Sequence, residues 1–298
     1  MSGRRAVPQR ERGMILVNVL IIVMLATAVL AIMLAGEEDD VERTVMLRQA
    51  AQGLATARGA ELSAIAALRR DGAAGTTSDS LDEEWARIGD SNARIDGGTF
   101  SFAVADAQAL YNINNLTRGD ANIRSNFTAI AAEAGIASGV ADRIAEGIGL
   151  VGPIGDLADT RLAGVNDQQL RRLATLVTVL PEPTDVNLNT APEDLIAVLF
   201  RNRATAAKLV SLRNGRGGLD AGQMLSNGLG TPLGTGFTSN YFWSRGRVVM
   251  GTTSQQLTSL LHRGSVDGTP VVVAVRRWRG AAPVMAPPLP AGSGGKSR

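Results

Sequence analysis

The sequence predicts an α+β protein: a long N-terminal helix, transmembrane and then amphipathic, packed on a small antiparallel sheet that an all-helical subdomain interrupts. Three observations carry this. Residues 14–35, MILVNVLIIVMLATAVLAIMLA, hold no charge. Apolar alternation marks a strand at residues 98–105, and strand patterns return only from residue 241. Between them the apolar residues recur at helical spacing.

The uncharged stretch comes first. At about 1.5 Å per residue it is about 33 Å long, which matches a bilayer core of about 30 Å. Asn18 is its only amide. Arg4, Arg5, Arg10 and Arg12 precede it against Glu11 alone, and Glu37, Glu38, Asp39, Asp40 and Glu42 follow it. Basic residues stay on the cytoplasmic side, so the N-terminus is expected inside and the body exported. A plain membrane anchor would share these features. A cleaved secretory leader fits less well, because its apolar region usually runs about 7 to 15 residues and Met33 would stand three residues before an Ala35–Gly36 cut.

Helix formers continue to Arg70, and no proline follows the span until Pro153. Leu47, Ala51, Leu54, Leu62, Ile65 and Leu68 recur at helical spacing, interrupted by Arg58, and are expected to pack on the exported body as core. Gly53 and Gly59 would each cost such a helix about 1 kcal/mol. A continuous helix from Met14 to Arg70 would be about 85 Å long, which a globular body seldom needs.

Residues 71–97, rich in Gly, Ser and Asp around Trp85, read as a loop with one helical turn. The strand at 98–105 sets Phe100, Phe102 and Val104 against Ser101 and Ala103. The turn-prone segment 106–116 follows. Helices are then expected at 122–135, 138–148, 166–176, 190–201 and 205–214, with a sixth at 220–225. Thr190, Pro192 and Glu193 have the spacing of a capping box. Strands are expected at 241–250, 257–263 and 270–278, the last two joined by a turn at residues 265–268.

A basic leader ending in Gly13, then Met14 opening an apolar helix that becomes amphipathic, resembles the type IV pilin class. The resemblance implies cleavage after Gly13 by a prepilin peptidase and methylation of the new N-terminus at Met14. The class has Glu at the fifth mature position, where this chain has Asn18. That departure resembles the K-type minor pseudopilin of type II secretion systems. A carboxylate in lipid is costly without a partner, and a subunit at a filament tip has no neighbour above it to supply one. Further resemblance lies in DAQALYNINNL, residues 106–116, with Asp106, Asn112 and Asn114 at the family's motif positions. It lies also in residues 153–181, in DVNLNTAPEDLIAVLF, residues 185–200, and in SNYFWSRGRVVM, residues 239–250. The order of these stretches carries the likeness.

The resemblance implies a cytoplasmic leader over 1–13, a transmembrane helix over 14–36, and the amphipathic helix, loop and first strand over 37–106. An inserted helical domain, SAM-like or helix-hairpin-helix-like, then spans 107–238, and the remaining strands 239–280. It implies an inner-membrane protein with a periplasmic body, I- and J-type minor pseudopilins as partners, and a place at the pseudopilus tip that starts assembly. Secreted cargo and the secretin are further partners it suggests. The tail 281–298, rich in Pro, Gly and Ser, is expected to be disordered.

Chemistry has little to build from. The chain has no Cys and one His, His262, so zinc and Cys/His catalysis lack residues, and a strand-surface histidine is expected. Paired-carboxylate chemistry has no motif that sets two acids side by side, and no enzyme is expected. The loop 228–234 has the glycines of a dinucleotide loop but follows no strand. Net charge is +2 with scattered Arg, which argues against a nucleic-acid surface. The competing function is a membrane-anchored helix-hairpin-helix DNA-uptake protein, since NLNTAPEDL also resembles the opening of that module. Its hairpin position, residues 200–204, lacks the glycine nest that grips phosphate. Calcium occurs in the K-type family through an acidic segment. Here residues 147–152, GIGLVG, offer no carboxylate, so the segment is read as deleted. Asp156, Asp159 and Asp167 remain nearby, with helix capping the expected role of Asp156. No cofactor or metal is expected.

Overall fold

The computed structural model describes residues 9–75 and 77–290, and the side chains of 9–13, 15 and 34–40 are outside the description. The described residues form two compact units, divided between Gln52 and Gly53. Helix α1 is Gln9–Ala74, four residues longer at its C-terminal end than expected.

In the second unit α1 is followed by α2 (Glu84–Arg87), β1 (Gly89–Ile95) and β2 (Gly98–Asp106). The insert then contains β3 (Tyr111–Asn112), α3 (Ala121–Glu133), α4 (Ser138–Val151), α5 (Asp167–Leu173), β4 (Val177–Thr178) and β5 (Val186–Asn187). It closes with α6 (Glu193–Phe200), α7 (Arg203–Arg216), α8 (Ala221–Ser226) and β6 (Thr235–Gly236). The sheet resumes with β7 (Tyr241–Met250), β8 (Thr253–Val266) and β9 (Thr269–Arg279). Its antiparallel order is β1-β2-β7-β8-β9, so the insert leaves from β2 and returns into the adjacent β7. The expected β8–β9 turn is present, with Asp267 and Gly268 at positive φ of 51° and 76°.

β1 corrects the loop expected over 71–97. Its sequence, GDSNARI, has no β-rich run, and backbone pairing with β2 makes the strand. The irregular register between Asp90 and Ala93 is a bulge at the sheet's edge, with Asn92 at φ 55°. The other edge, β9, carries its own guards in Pro270 and a register shift at Val275.

The packing face of α1 also corrects the sequence reading. Leu68 is buried, but Leu62 is 62% exposed and Ala51 is exposed. Gly53, Ala57, Ala60, Glu61, Ala64 and Ala67 face the sheet instead. Small residues let the helix backbone approach closely. A Cβ on Gly53 would stand 3.2 Å from the Gln255 side chain, and one on Gly246 only 3.7 Å from the Ala57 backbone. Gly53 is therefore a packing residue rather than a defect in the helix. Above Ala60, Ala64, Ala67 and Leu68 lie Trp85, Phe102, Val104, Phe242, Leu261 and Val272. The sheet's other face offers Tyr241, Trp243 and Leu260 to the larger core of the insert.

The expected disorder from residue 281 is corrected as far as residue 290. Met285 is buried in the insert core, Arg245 Nη1 donates to Pro287 O at 2.6 Å, and Ser91 Oγ donates to Pro290 O at 3.4 Å. One buried methionine and prolines that lose little entropy on ordering hold this strap down. Residues 291–298 lie outside the described residues.

Candidate assembly site: the anchor and the polar seam

The residues expected to carry function at the N-terminus all lie in α1. Leu16–Met33 has mean hydropathy 2.8, and none of it is buried inside the protein. It is the one helix among the described residues long and apolar enough to cross a membrane. Thr27 hides its hydroxyl proton by donating to Val23 O and Met24 O at 2.9 Å, as an apolar surround requires. The Gly13–Met14 bond is inside the helical run, Met14 is 66% exposed, and Asn18 is exposed on the same unpartnered surface. Residues 1–8 of the expected leader lie outside the described residues.

The motif residues of the body meet in a buried polar seam where insert joins sheet. Asp106 closes β2, and its Oδ1 caps the next turn by accepting from Gln108 N at 2.7 Å. Its Oδ2 accepts from Thr190 Oγ1 at 2.5 Å, Ser239 Oγ at 2.7 Å and Asn187 Nδ2 at 2.9 Å. Thr190 is therefore not the expected helix cap. Pro192 occupies the N-cap of α6 with no side-chain bond, because the hydroxyl is taken by the deeper acceptor. Burial pushes the Asp106 carboxyl up to about 6 despite these donors.

The Asn-x-Asn pattern occurs twice, and both copies do the same work. Asn112 Oδ1 accepts from Asn114 N at 3.1 Å and from Leu180 N at 3.1 Å. Asn114 accepts from Ile154 N at 2.9 Å and donates to Leu180 O at 2.8 Å. In the second copy Asn187 Oδ1 accepts from Asn189 N at 3.0 Å, and Asn189 grips Leu219 N and O at 2.8 Å. The first asparagine of each pair ends a short parallel bridge, Asn112 in β3 with β4 and Asn187 in β5 with β6. All four asparagines are buried, so they supply backbone groups of the insert with partners that a loop-rich core would otherwise lack. The second copy went unread as a repeat in the sequence. The shared spacing of residues 112–114 and 187–189 was the available clue.

The seam also brings together acids that no motif had paired. Asp71, Asp79 and Glu83 have carboxylate oxygens within 4.8 Å of one another. Arg263 of β8 pairs with Asp71 and Asp79, while Glu83 accepts from Ser80 N at 3.1 Å and Trp85 Nε1 at 2.6 Å. The guanidinium supplies a positive charge to Asp71 and Asp79 and competes with any cation for them. The acids near Pro153 are engaged as well. Asp156 and Asp159 form a capping box over Leu157–Ala163, and Asp167 pairs with Arg161 at 2.7 Å.

At the hairpin position, Arg201 and Asn202 join α6 to α7, with Arg201 at φ 53° and Asn202 capping α7 through Thr205 N. The geometry is that of a helix hairpin. Its arginines turn to protein groups, Arg201 to Ser125 Oγ at 2.8 Å and Arg203 to Asp194 and Glu133 at 3.4 and 3.5 Å. The 228–234 loop has no strand before it, and Gly228 and Gly234 sit at turn-type φ. His262 lies on β8 with its ring 4.7 Å from that of Tyr241.

No family model matches the chain. It is similar to the type II secretion system protein K of Pseudomonas aeruginosa, 27% identical over 318 aligned positions that span 92% of this chain and 95% of the relative. It is also similar to a chain in the crystal structure of the GspK-GspI-GspJ complex from the enterotoxigenic Escherichia coli type 2 secretion system. There the TM-score is 0.67 and identity 20%, over 80% of this chain and all of the other. The sequence relative makes the chain similar to a type II secretion protein K along most of its length, and the solved structure shows that it shares that α+β fold.

Proposed function

We propose that this chain is a K-type minor pseudopilin that works by assembly at the tip of a type II secretion pseudopilus, a reading supported by its similarity to type II secretion protein K. Prepilin peptidase cuts between Gly13 and Met14, Met14 is N-methylated, and the helix of residues 14–35 anchors the protein in the inner membrane. The leader faces the cytoplasm and the body the periplasm, a reading the flanking arginines and acids support. The carrying observation is the wholly exposed apolar span of Leu16–Met33 with an amide, Asn18, where a carboxylate would need a neighbour. The body meets I- and J-type minor pseudopilins, starts the filament with them and supports export across the outer membrane. The tip also presents the body to secreted cargo or the secretin. The domain folds without calcium, since the acids near Pro153 serve as caps and ion-pair partners.

DNA uptake ranks below this because the hairpin position, residues 200–204, lacks the glycine nest that grips phosphate. Full-length protein co-expressed with I- and J-type partners should purify as a complex and bind duplex DNA with a Kd of about 10⁻⁴ M or weaker near physiological salt. Failure to form the complex, with submicromolar DNA binding lost in Arg201→Ala and Arg203→Ala, would reverse the ranking.

A further inference from the structure

Asp71 comes from the end of α1, Asp79 from the connection behind it and Glu83 from just before α2, and together they make one enclosure. Arg263 faces it from β8, donating to both oxygens of Asp79 at 2.6 Å, to Asp71, and to Ser239 O at 2.6 Å. The ring of Phe242 on β7 closes the far side, 4.9 Å from the guanidinium carbon. The neighbouring charges point elsewhere. Arg70 pairs with Glu84, Arg87 pairs with Asp82, and His262 lies against Tyr241. From β2, Asp106 adds another buried carboxyl that feels the charge of Asp79.

Three carboxylates against one guanidinium carry a net charge of −2 when all are ionised, and −1 when one proton is held. Acids this close inside a protein do not all ionise near neutrality, and the proton settles where it can bridge two of them. Both oxygens of Asp79 are gripped by the guanidinium, and Asp71 and Glu83 lie against each other beside it. Burial pushes Glu83 up to about 7 and Asp71 upward, with Asp79 adding repulsion to both.

We propose that Asp71, Asp79, Glu83 and Arg263 form a proton-operated latch, which ties the end of α1 and the connection bearing Asp79 to the sheet in acid and loosens toward alkaline pH. The raised Glu83 fixes the sign. Its stabilisation is complete below the ordinary value of 4.5 and is lost as pH rises through about 7. The latch reaches the insert too, because Asp79 O accepts from Asn187 Nδ2 at 3.1 Å and Asp79 N donates to Phe237 O at 2.7 Å.

Trp85 is the built-in reporter, since its indole N–H donates to Glu83 Oε2 at 2.6 Å. In full-length protein with ¹⁵N-tryptophan in detergent, the Trp85 indole resonance, assigned through Trp85→Phe, should titrate with a midpoint between about 6 and 8. The transition should vanish in Glu83→Gln and move to lower pH in Asp71→Asn, which removes the facing acid. The thermal midpoint of the wild type should fall from pH 5.5 to 8, and by less in Glu83→Gln. A Trp85 resonance flat from pH 5 to 8.5, or one that titrates unchanged in both variants, would overturn the latch. Should Glu83→Gln fail to fold, the Asp71→Asn midpoint decides alone.

Discussion

The two parts of α1 are made of similar residue types and solve opposite problems. In residues 16–33 large apolar side chains point outward on every side and none is buried, so the solvent that suits them is lipid. In residues 53–68 most side chains turned to the sheet are small, Leu68 being the large apolar exception, and the one large polar member, Glu61, is 4% exposed. Arg277 clasps Glu61 through two guanidinium nitrogens at 2.8 and 2.9 Å, and Ser259 adds a third donor. Burial alone would push that carboxyl up. The bonds from Arg277 and Ser259 outweigh it and hold the group below its ordinary value. Apolarity marks where a helix meets lipid, whereas small size marks where it meets a sheet.

The largest expected effect breaks the body side of this comparison. Arg263→Ala would leave Asp79 and Asp71 without their cation, and losing one partner of a buried pair costs about 3–5 kcal/mol. Chemical denaturation of the full-length protein should show that loss or outright failure to fold, and a change under about 1 kcal/mol would remove Arg263 from the account.

Next comes one substitution placed in both parts. Ala64→Leu, at a fully buried contact, should cost about 1–3 kcal/mol by overpacking. Ala28→Leu in the anchor should leave the body's thermal midpoint unchanged. Equal effects would mean that the two parts do not differ as described. Smaller still is Leu62→Ser, expected within about 0.5 kcal/mol because this leucine is 62% exposed. A cost above about 2 kcal/mol in the isolated protein would place Leu62 in the core after all.

Leu62 also shows where sequence reading runs out. A stripe search weights large apolar residues, so it chose Leu47, Leu54 and Leu62 and passed over Ala57, Ala60, Ala64 and Ala67. Only the close approach of Gly246 to Ala57 explains why methyl groups suffice there. β7 was legible to its end residues because aromatic and β-branched side chains fill it. β1 was not, since a polar edge strand takes its conformation from pairing rather than propensity. At the site, the Gly13–Met14 boundary and Asn18 stand in the local sequence. The acid enclosure does not, because Asp79 and Arg263 are 184 residues apart and only the fold joins them.

The smallest expected effect concerns the anchor. Asn18→Glu should not raise secretion, since the proposed tip position would leave the new carboxylate in lipid without a partner. A clear gain would put the subunit inside the filament.

The central proposal is that this chain is processed as a pseudopilin. Intact mass and N-terminal peptide mass, measured on protein made with a prepilin peptidase, test it most directly. The account predicts a chain that begins at Met14 with one added N-methyl group. An unprocessed Met1, or a cut anywhere other than between Gly13 and Met14, would contradict it.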